Sequence, residues 1–449
     1  MATISEVASP LVGPLSWPPQ PKVKLGMTGA EPPLSETETA FQDMAHAFAR
    51  DVMRPVGQAL DRLTPEEILK KNSIYYTEFR PKYLALDVNP VTLGALPPEE
   101  LGKVLPIIME EFGWGDGGLS ITIGACQLPP LLALIFGKEY LLERFPVDLI
   151  GCWAITEPDH GSDALDPSKQ IFHAQGNYGR PNCVAKIDGN KVILNGQKSA
   201  WVSNGPIADV CVLYSAADRG NGPDPENGVV MLVPMNAKGV SRGKFIDKLG
   251  QRPLPQGEIF FDNVELSADH IIAGPEEFQR AVYAIHCEAN GQMGAIWTGS
   301  ARASFEIAWK YAHERKQGGV PIYRHQSVAK SLFHMYRKVE ASRALVRRVA
   351  HPTDGRATLV EITDAGRERV AVATTELNSI VFRRPGFSPS EVEQLGAMRA
   401  IATKAATAAV PAPRLAAASS AGRPAGPLNY IQIQDLIAFI RAPKTSGFL

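Results

Sequence analysis

Apolar positions in the first third of the chain recur at three- and four-residue steps. Phe41, Met44, Ala45, Phe48 and Val52 form one such stripe beginning near Thr39, and Pro55 is expected to end it. The pattern predicts further helices over 64–71, 98–112 and 128–145. Gly113, Gly115, Gly117 and Gly118 break the 98–112 stretch from the apolar segment after it. From 151 the period changes to two. KVILNG (191–196), DVCVLYSA (209–216), GVVMLVPM (228–235) and GEIFFDNVEL (257–266) are β-branched or aromatic runs bounded by Gly, Asn, Asp and Pro. With the apolar run Cys152–Ile155 they predict a small β-domain. Helical spacing returns after Pro275. Phe278, Val282, Ile285, Ala289 and Met293 share a face, and the amphipathic run continues over 297–314 until Gly318, Gly319 and Pro321. A last long helix is predicted over 325–349. Helices, then strands, then helices give an α+β chain.

The expected organisation is an extended segment over 1–35, a helical domain over 36–150, a β-domain over 151–274 and a second helical domain over 275–349. An atypical stretch follows over 350–395, then a tail over 396–449 whose apolar segment 430–440 reads as strand or helix. The polar stretch 164–182 reads as an inserted loop. A length of 449 residues suits two or three domains. A net charge of −1 gives no reason to expect nucleic acid or an anionic membrane as partner. No apolar run is expected to approach the ~18 residues that span a bilayer. The N-terminus lacks a basic start and is broken by prolines, so it is not read as a secretory signal. Cys126, Cys152, Cys183, Cys211 and Cys287 are scattered without CxxC spacing, which suggests reduced packing residues in a cytoplasmic protein. No metal constellation, P-loop or Rossmann fingerprint is visible.

The stretch with the most chemistry is GCWAITEPDHGSD (151–163). Pro158, Gly161 and the polar run from Thr156 to Asp163 make a loop, and loops dense in hydrogen-bonding groups are where rigid scaffolds carry function. The segment closely resembles the ITEPxxGSD motif of the acyl-CoA dehydrogenases, flavoproteins that oxidise acyl-CoA thioesters. GQKSAWVSNGPIAD (196–209) and YAHERKQGG (311–319) resemble the next two blocks of that family, in family order and at family-like separations. LGQRPLPQGEIFFDNVEL (249–266) is similar to part of its middle domain. MEEFGWGDGGLSITIG (109–124) resembles the segment that lines its acyl pocket, or else it packs helices around a glycine-rich turn.

The resemblance implies FAD as cofactor and α,β-desaturation of an acyl-CoA as the reaction. It also implies an electron-transfer flavoprotein or similar acceptor and a homodimer or homotetramer. By position, Trp153, Ile155, Thr156 and Ser162 would meet the flavin edge, with Thr156 near the reactive nitrogen and Gly161 allowing close approach. Trp201 would lie against the ring with Ser203 beside it, although the family has Thr there and one residue fewer after the Lys. The other reading of Trp201 is a core aromatic. Arg315 and Gln326 would bind the pyrophosphate and adenosine end of FAD in a neighbouring subunit, where a permanently charged planar fork suits phosphate. The family's Phe is replaced by Gly318. The base must be a carboxylate desolvated enough to take an α-proton. No Glu follows Glu393, and Asp435 is the one acid beyond it. A minority of the family carries the base in the helix corresponding to 278–314, at the position of Ala289. Glu288 beside it is the candidate base, or else a solvated helix carboxylate.

The likeness is read to stop at Val349. HPTDGRATLVEITDAGRERV (351–370) resembles the wing and following helix of winged-helix regulators of the multiple-antibiotic-resistance type. Two other functions therefore stand beside desaturation. One is a flavin monooxygenase of the same fold, which needs no carboxylate base. The other is DNA binding through 344–395 by Arg347, Arg348, Arg356, Arg367 and Arg369, against which no recognition helix precedes the wing.

Overall fold

A computed structural model describes residues 34–161, 181–346, 349–350 and 358–359. Ser162, almost all of 164–182 and 350–395, Asp435 and the tail over 396–449 lie outside the described residues. The first helix, α1 (Glu36–Phe48), opens on a capping box in which Ser35 and Glu38 each bond the other's backbone N–H. Pro55 does not end the helical run. A π-helical turn over Ala49–Met53 is followed by α2 (Arg54–Leu60), with Pro55 in the first turn, where a missing N–H does no harm. The stripe therefore runs on through the buried Met53, Val56 and Leu60. Three short helices come next, α3 (Pro65–Leu69), α4 (Arg80–Leu84) and α5 (Pro90–Leu93).

Two longer helices follow, α6 (Pro98–Gly115) and α7 (Gly117–Ile135), then the short α8 (Tyr140–Arg144). The predicted helix over 128–145 thus begins eleven residues early and is split in two. Asp116, not the glycines, makes the break. Its backbone is extended and its carboxylate accepts the Leu119 N–H at 2.8 Å, capping α7. The glycines permit close packing instead: a Cβ on Gly113 would stand 2.0 Å from the Ile296 carbonyl oxygen. Against expectation, α7 is long and apolar enough to cross a membrane; two-thirds of it (67%) is buried inside the protein, as a core helix would be.

The strands are β1 (Gly151–Ala154), β2 (Cys183–Asp188), β3 (Lys191–Ser203), β4 (Val210–Asp218), β5 (Pro223–Pro234), β6 (Val240–Arg242), β7 (Gln256–Ser267) and β8 (Ile271–Ala273). They form one mixed sheet in the order β6-β7-β3-β2-β4-β5-β8, with β1 joining β4. β1 and β2 both run parallel to β4, and the other pairings are antiparallel. β4 is buried on both faces along Val210–Ala217, which suits its largely apolar sequence. Cys152, Ala154, Cys211 and Leu213 enter one core with Leu194, Met231 and Phe261. Val210, Val212 and Tyr214 enter the other, against Leu128 and Leu132 of α7 and Phe278, Val282 and Ile285 of the next helix.

That helix, α9 (Phe278–Glu314), is 37 residues long. A hairpin of β9 (Lys316–Gln317) and β10 (Val320–Pro321) leads to α10 (Gln326–Val346). A two-strand pair of β11 (Val349–Ala350) and β12 (Thr358–Leu359) is antiparallel. The helical layers are joined by buried charges. Arg302 of α9 meets Glu110 and Glu111 of α6, each at 2.6 Å, and Arg343 of α10 meets Glu110 at 2.8 Å. Burial pushes the Glu111 carboxyl up, but Arg302 and His46 outweigh it and hold the group below its ordinary range. Such a network fixes the relative positions of α6, α9 and α10 more than it adds net stability.

Candidate active site

The signature loop leaves β1 at Ala154, and three hydrogen-bonding arrangements hold it against β3. Ser199 N–H donates to the Thr156 carbonyl at 2.9 Å. Lys198 Nζ donates to the Ile155 carbonyl at 3.0 Å and to Glu157 Oε1 at 2.6 Å. The loop itself turns tightly, the Glu157 N–H donating to the His160 carbonyl at 2.8 Å. The two sequence blocks 151–163 and 196–209 are therefore one structural unit. Trp153, Ile155, Thr156, Gly161, Trp201 and Ser203 all belong to it.

After Lys198 the β3–β7 pairing shifts register, with four steps along β3 to Val202 against two along β7 from Ile259 to Gly257. A bulge of this kind re-aims a side chain without ending the strand. Trp201 lies inside it and stands 59% exposed, which removes the core-aromatic reading. Gln256 supports this stretch: its Nε2 donates to the Trp201 carbonyl and to Ser203 Oγ, both at 3.2 Å. Lys248 Nζ in turn donates to Gln256 Oε1 at 2.8 Å and to the Leu254 carbonyl at 2.7 Å. Burial pulls the Lys248 ammonium down to about 8.

Asn204 ties the unit to the N-terminal helices. It is fully buried at a positive φ of 64°, and its Nδ2 donates to the carbonyls of Gly151 and Thr122, each at 3.0 Å. Trp153 points to the opposite face of β1 from Cys152 and Ala154. Its ring centroid lies 5.0 Å from that of His286 on α9. His286 Nδ1 is 2.6 Å from the Val282 carbonyl, which can only accept, so Nδ1 carries the proton. Burial holds the His286 imidazole below its ordinary range, so it is neutral at pH 7 and Nε2 is a bare acceptor. The Trp153 Nε1–H is buried with no hydrogen-bond partner, and the Thr156 hydroxyl makes no hydrogen bond to a described residue.

Glu288 is half-buried on α9, roughly 160° around the axis from His286 and about 40° from Gln292 one turn on. Gln292 reaches across to α7, its Oε1 4.0 Å from where a Cβ on Gly124 would stand. Beyond α7's own backbone and the adjoining residues, no other atom of the described residues comes that close. Arg315 caps the far end of α9 and Gln326 opens α10; both are exposed. At about 1.5 Å per residue, roughly 40 Å of helix separates Arg315 from His286 and hence from Trp153. The structure brings Trp153, Ile155, Thr156, Gly161, Trp201 and Ser203 together and sets Arg315 and Gln326 apart. Gly318 and Gly319 have φ values of 60° and 80°, as a two-residue turn with both residues left-handed requires. That is the physical reason a Phe is absent at 318.

Sequence reasoning missed Lys198, Asn204, Gln256, His286 and Gln292. Lys198 was legible within GQKSAW as a motif Lys whose spacing departs from the family. The other four carry no local signal, because the contacts that matter at the site, such as His286 with Trp153 and Asn204 with Thr122, join residues far apart in the chain.

Known proteins resemble this chain in sequence and in fold. Residues 152–264 match the acyl-CoA dehydrogenase middle domain, and 288–373 match the acyl-CoA dehydrogenase C-terminal domain. The second match carries the likeness past Val349, where the sequence reading had stopped it. Cyclohex-1-ene-1-carbonyl-CoA dehydrogenase of Geobacter metallireducens is 30% identical over 332 residues, covering 72% of this chain and 80% of that protein. Short-chain specific acyl-CoA dehydrogenase of Megasphaera elsdenii is 27% identical over 380 residues, covering 80% and 90%. Glutaryl-CoA dehydrogenase of Desulfococcus multivorans is 29% identical over 277 residues, covering 58% of this chain and 66% of that protein. A solved glutaryl-CoA dehydrogenase in complex with glutaryl-CoA shares the fold, with a TM-score of 0.57 at 23% identity over 78% of this chain and 86% of that one.

The chain belongs to the acyl-CoA dehydrogenase family. It is an oxidoreductase of CH–CH groups whose cofactor is FAD. The residues present suit a flavin: an exposed indole at Trp201 beside a loop rich in polar groups, and a buried N–H at Trp153 with no hydrogen-bond partner among the described residues.

Proposed function

We propose that this chain removes two hydrogens from the α and β carbons of an acyl-CoA thioester. FAD, when bound, supplies the acceptor for the β-hydride. The protein's share is binding, orientation and the α-proton. Trp153, Ile155, Thr156, Gly161 and Ser162 offer polar groups and backbone to the flavin edge, and Trp201 offers a flat face with Ser203 beside it. Glu288, about 40° around α9 from Gln292, takes the α-proton; a helix holds such a group more precisely than a loop. Arg315, at the far end of α9, is too distant to serve the same ring, which supports its use, with Gln326 at the start of α10, toward the cofactor of a second subunit in a homodimer or homotetramer. Electrons pass on to an electron-transfer flavoprotein or similar acceptor. Four buried cysteines that pack without forming a disulfide support a cytoplasmic setting.

The observation that carries this reading is the fusion of the signature loop to the Trp201 strand through Lys198 and Ser199. The test is product analysis: incubation with a series of acyl-CoAs and an artificial electron acceptor, followed by mass spectrometry. A product two hydrogens lighter supports the proposal, and Glu288→Gln should slow its formation by ~10²-fold or more. Acyl-CoA returned unchanged, or oxygenated in air, would replace it with another flavin reaction.

A further inference from the structure

Glu157 and Lys198 are an enclosed ion pair inside the unit that joins the two motifs. Lys198 is 1% exposed and Glu157 7% exposed, with 2.6 Å between Nζ and Oε1. Each spends its second contact on backbone. Lys198 Nζ donates to the Ile155 carbonyl at 3.0 Å, and Glu157 Oε2 accepts the Asn182 N–H at 2.6 Å. The neighbouring residues on both sides repeat the connection: Ser199 N–H donates to the Thr156 carbonyl. On β3 the register shift that re-aims Trp201 starts at Lys198 itself. The pair thus sits where the path to Thr156 and the path to Trp201 diverge.

A buried ion pair is a poor way to gain stability, because removing two charges from water offsets most of their attraction, and an apolar pair of similar volume does as well. What it supplies is geometry. The pair fixes one carbonyl and one N–H at defined distances, which apolar side chains cannot do. We propose that Lys198 and Glu157 are positioning residues that set the spacing between Thr156 and Trp201, and so the fit of the flavin ring against them. The inference rests on the reading that Thr156 and Trp201 face the flavin, and its test separates the two.

The experiment compares wild type, Lys198→Met/Glu157→Met, Glu157→Gln and Trp201→Ala by thermal unfolding of the apoprotein, by FAD titration and by the visible spectrum of bound FAD. The double variant should unfold near the wild-type temperature, yet bind FAD about tenfold or more weakly, as for loss of one or two net hydrogen bonds, and shift its spectrum. A folded double variant with wild-type FAD affinity and spectrum overturns the proposal. Should the double variant fail to fold, Glu157→Gln carries the same readouts. It keeps the side-chain shape while removing the charge that holds Lys198, and an unshifted spectrum with unchanged affinity would again overturn the proposal. If Trp201→Ala leaves affinity and spectrum untouched, the flavin placement itself is wrong and the inference falls with it. If Trp201→Ala weakens FAD while the ion-pair variants do not, the placement stands and only the positioning role is lost.

Discussion

Asn204 Nδ2 lies 3.0 Å from the Gly151 carbonyl oxygen, so the residue that follows Ser203 on the second motif holds the first residue of the strand that leads into the first motif. The same nitrogen reaches the Thr122 carbonyl of α7 at 3.0 Å. Asn204→Ala would strand two buried acceptors and put a Cβ residue without a local hydrogen bond at a left-handed backbone position. It should lose about 3 kcal/mol in urea unfolding. A loss under about 1 kcal/mol, within the range of an ordinary surface change, would show that these bonds do not hold the unit together.

Lys248 gives a pH dependence with a definite sign. Burial lowers its folded-state value from 10.5 to about 8. Between those two values the unfolded chain holds the extra proton and the folded chain does not, so stability rises with pH across that window. Below about 8 the burial penalty is fully present. Lys248 keeps part of its surface in water, which trims the effect. Urea midpoints measured from pH 7 to pH 10 should climb less steeply in Lys248→Met than in wild type. Parallel curves would mean that Lys248 does not titrate inside this window.

The Gly318–Gly319 turn offers a test of why the family's aromatic is absent. At φ values of 60° and 80° both positions favour glycine. Gly318→Phe should destabilise by about 1–2 kcal/mol through the left-handed backbone. Gly318→Asn should be better tolerated, since Asn enters that region more readily. Equal thermal unfolding temperatures for the two variants would contradict the account of the turn.

The sequence carried the architecture well where periodicity was strong. The five strand segments it picked out correspond to β1, β3, β4, β5 and β7, because alternation into two cores leaves a period-two record. It missed β2, β6 and β8: two are three residues long, and β2 follows a polar stretch. Gly113 and Gly115 misled it, since a glycine needed for close packing looks the same as a glycine that breaks a helix. Pro55 misled it for a related reason: a π-helical turn before it lets the helix restart with the proline in its first turn. At the site, Trp153, Thr156 and Trp201 were legible as a motif. The groups that place them were not. His286 meets Trp153 and Asn204 meets Thr122 across distances in sequence that no local pattern records.

The central claim is that an acyl-CoA thioester delivers its hydrogens to FAD held beside Thr156 and Trp201. Anaerobic mixing of the FAD-loaded protein with a series of acyl-CoAs, followed by absorbance of the oxidised flavin, tests it most directly. The account predicts bleaching of the flavin by at least one acyl-CoA, slowed by ~10²-fold or more in Glu288→Gln, the range for loss of a general base. A stoichiometrically bound flavin that no acyl-CoA bleaches would contradict it.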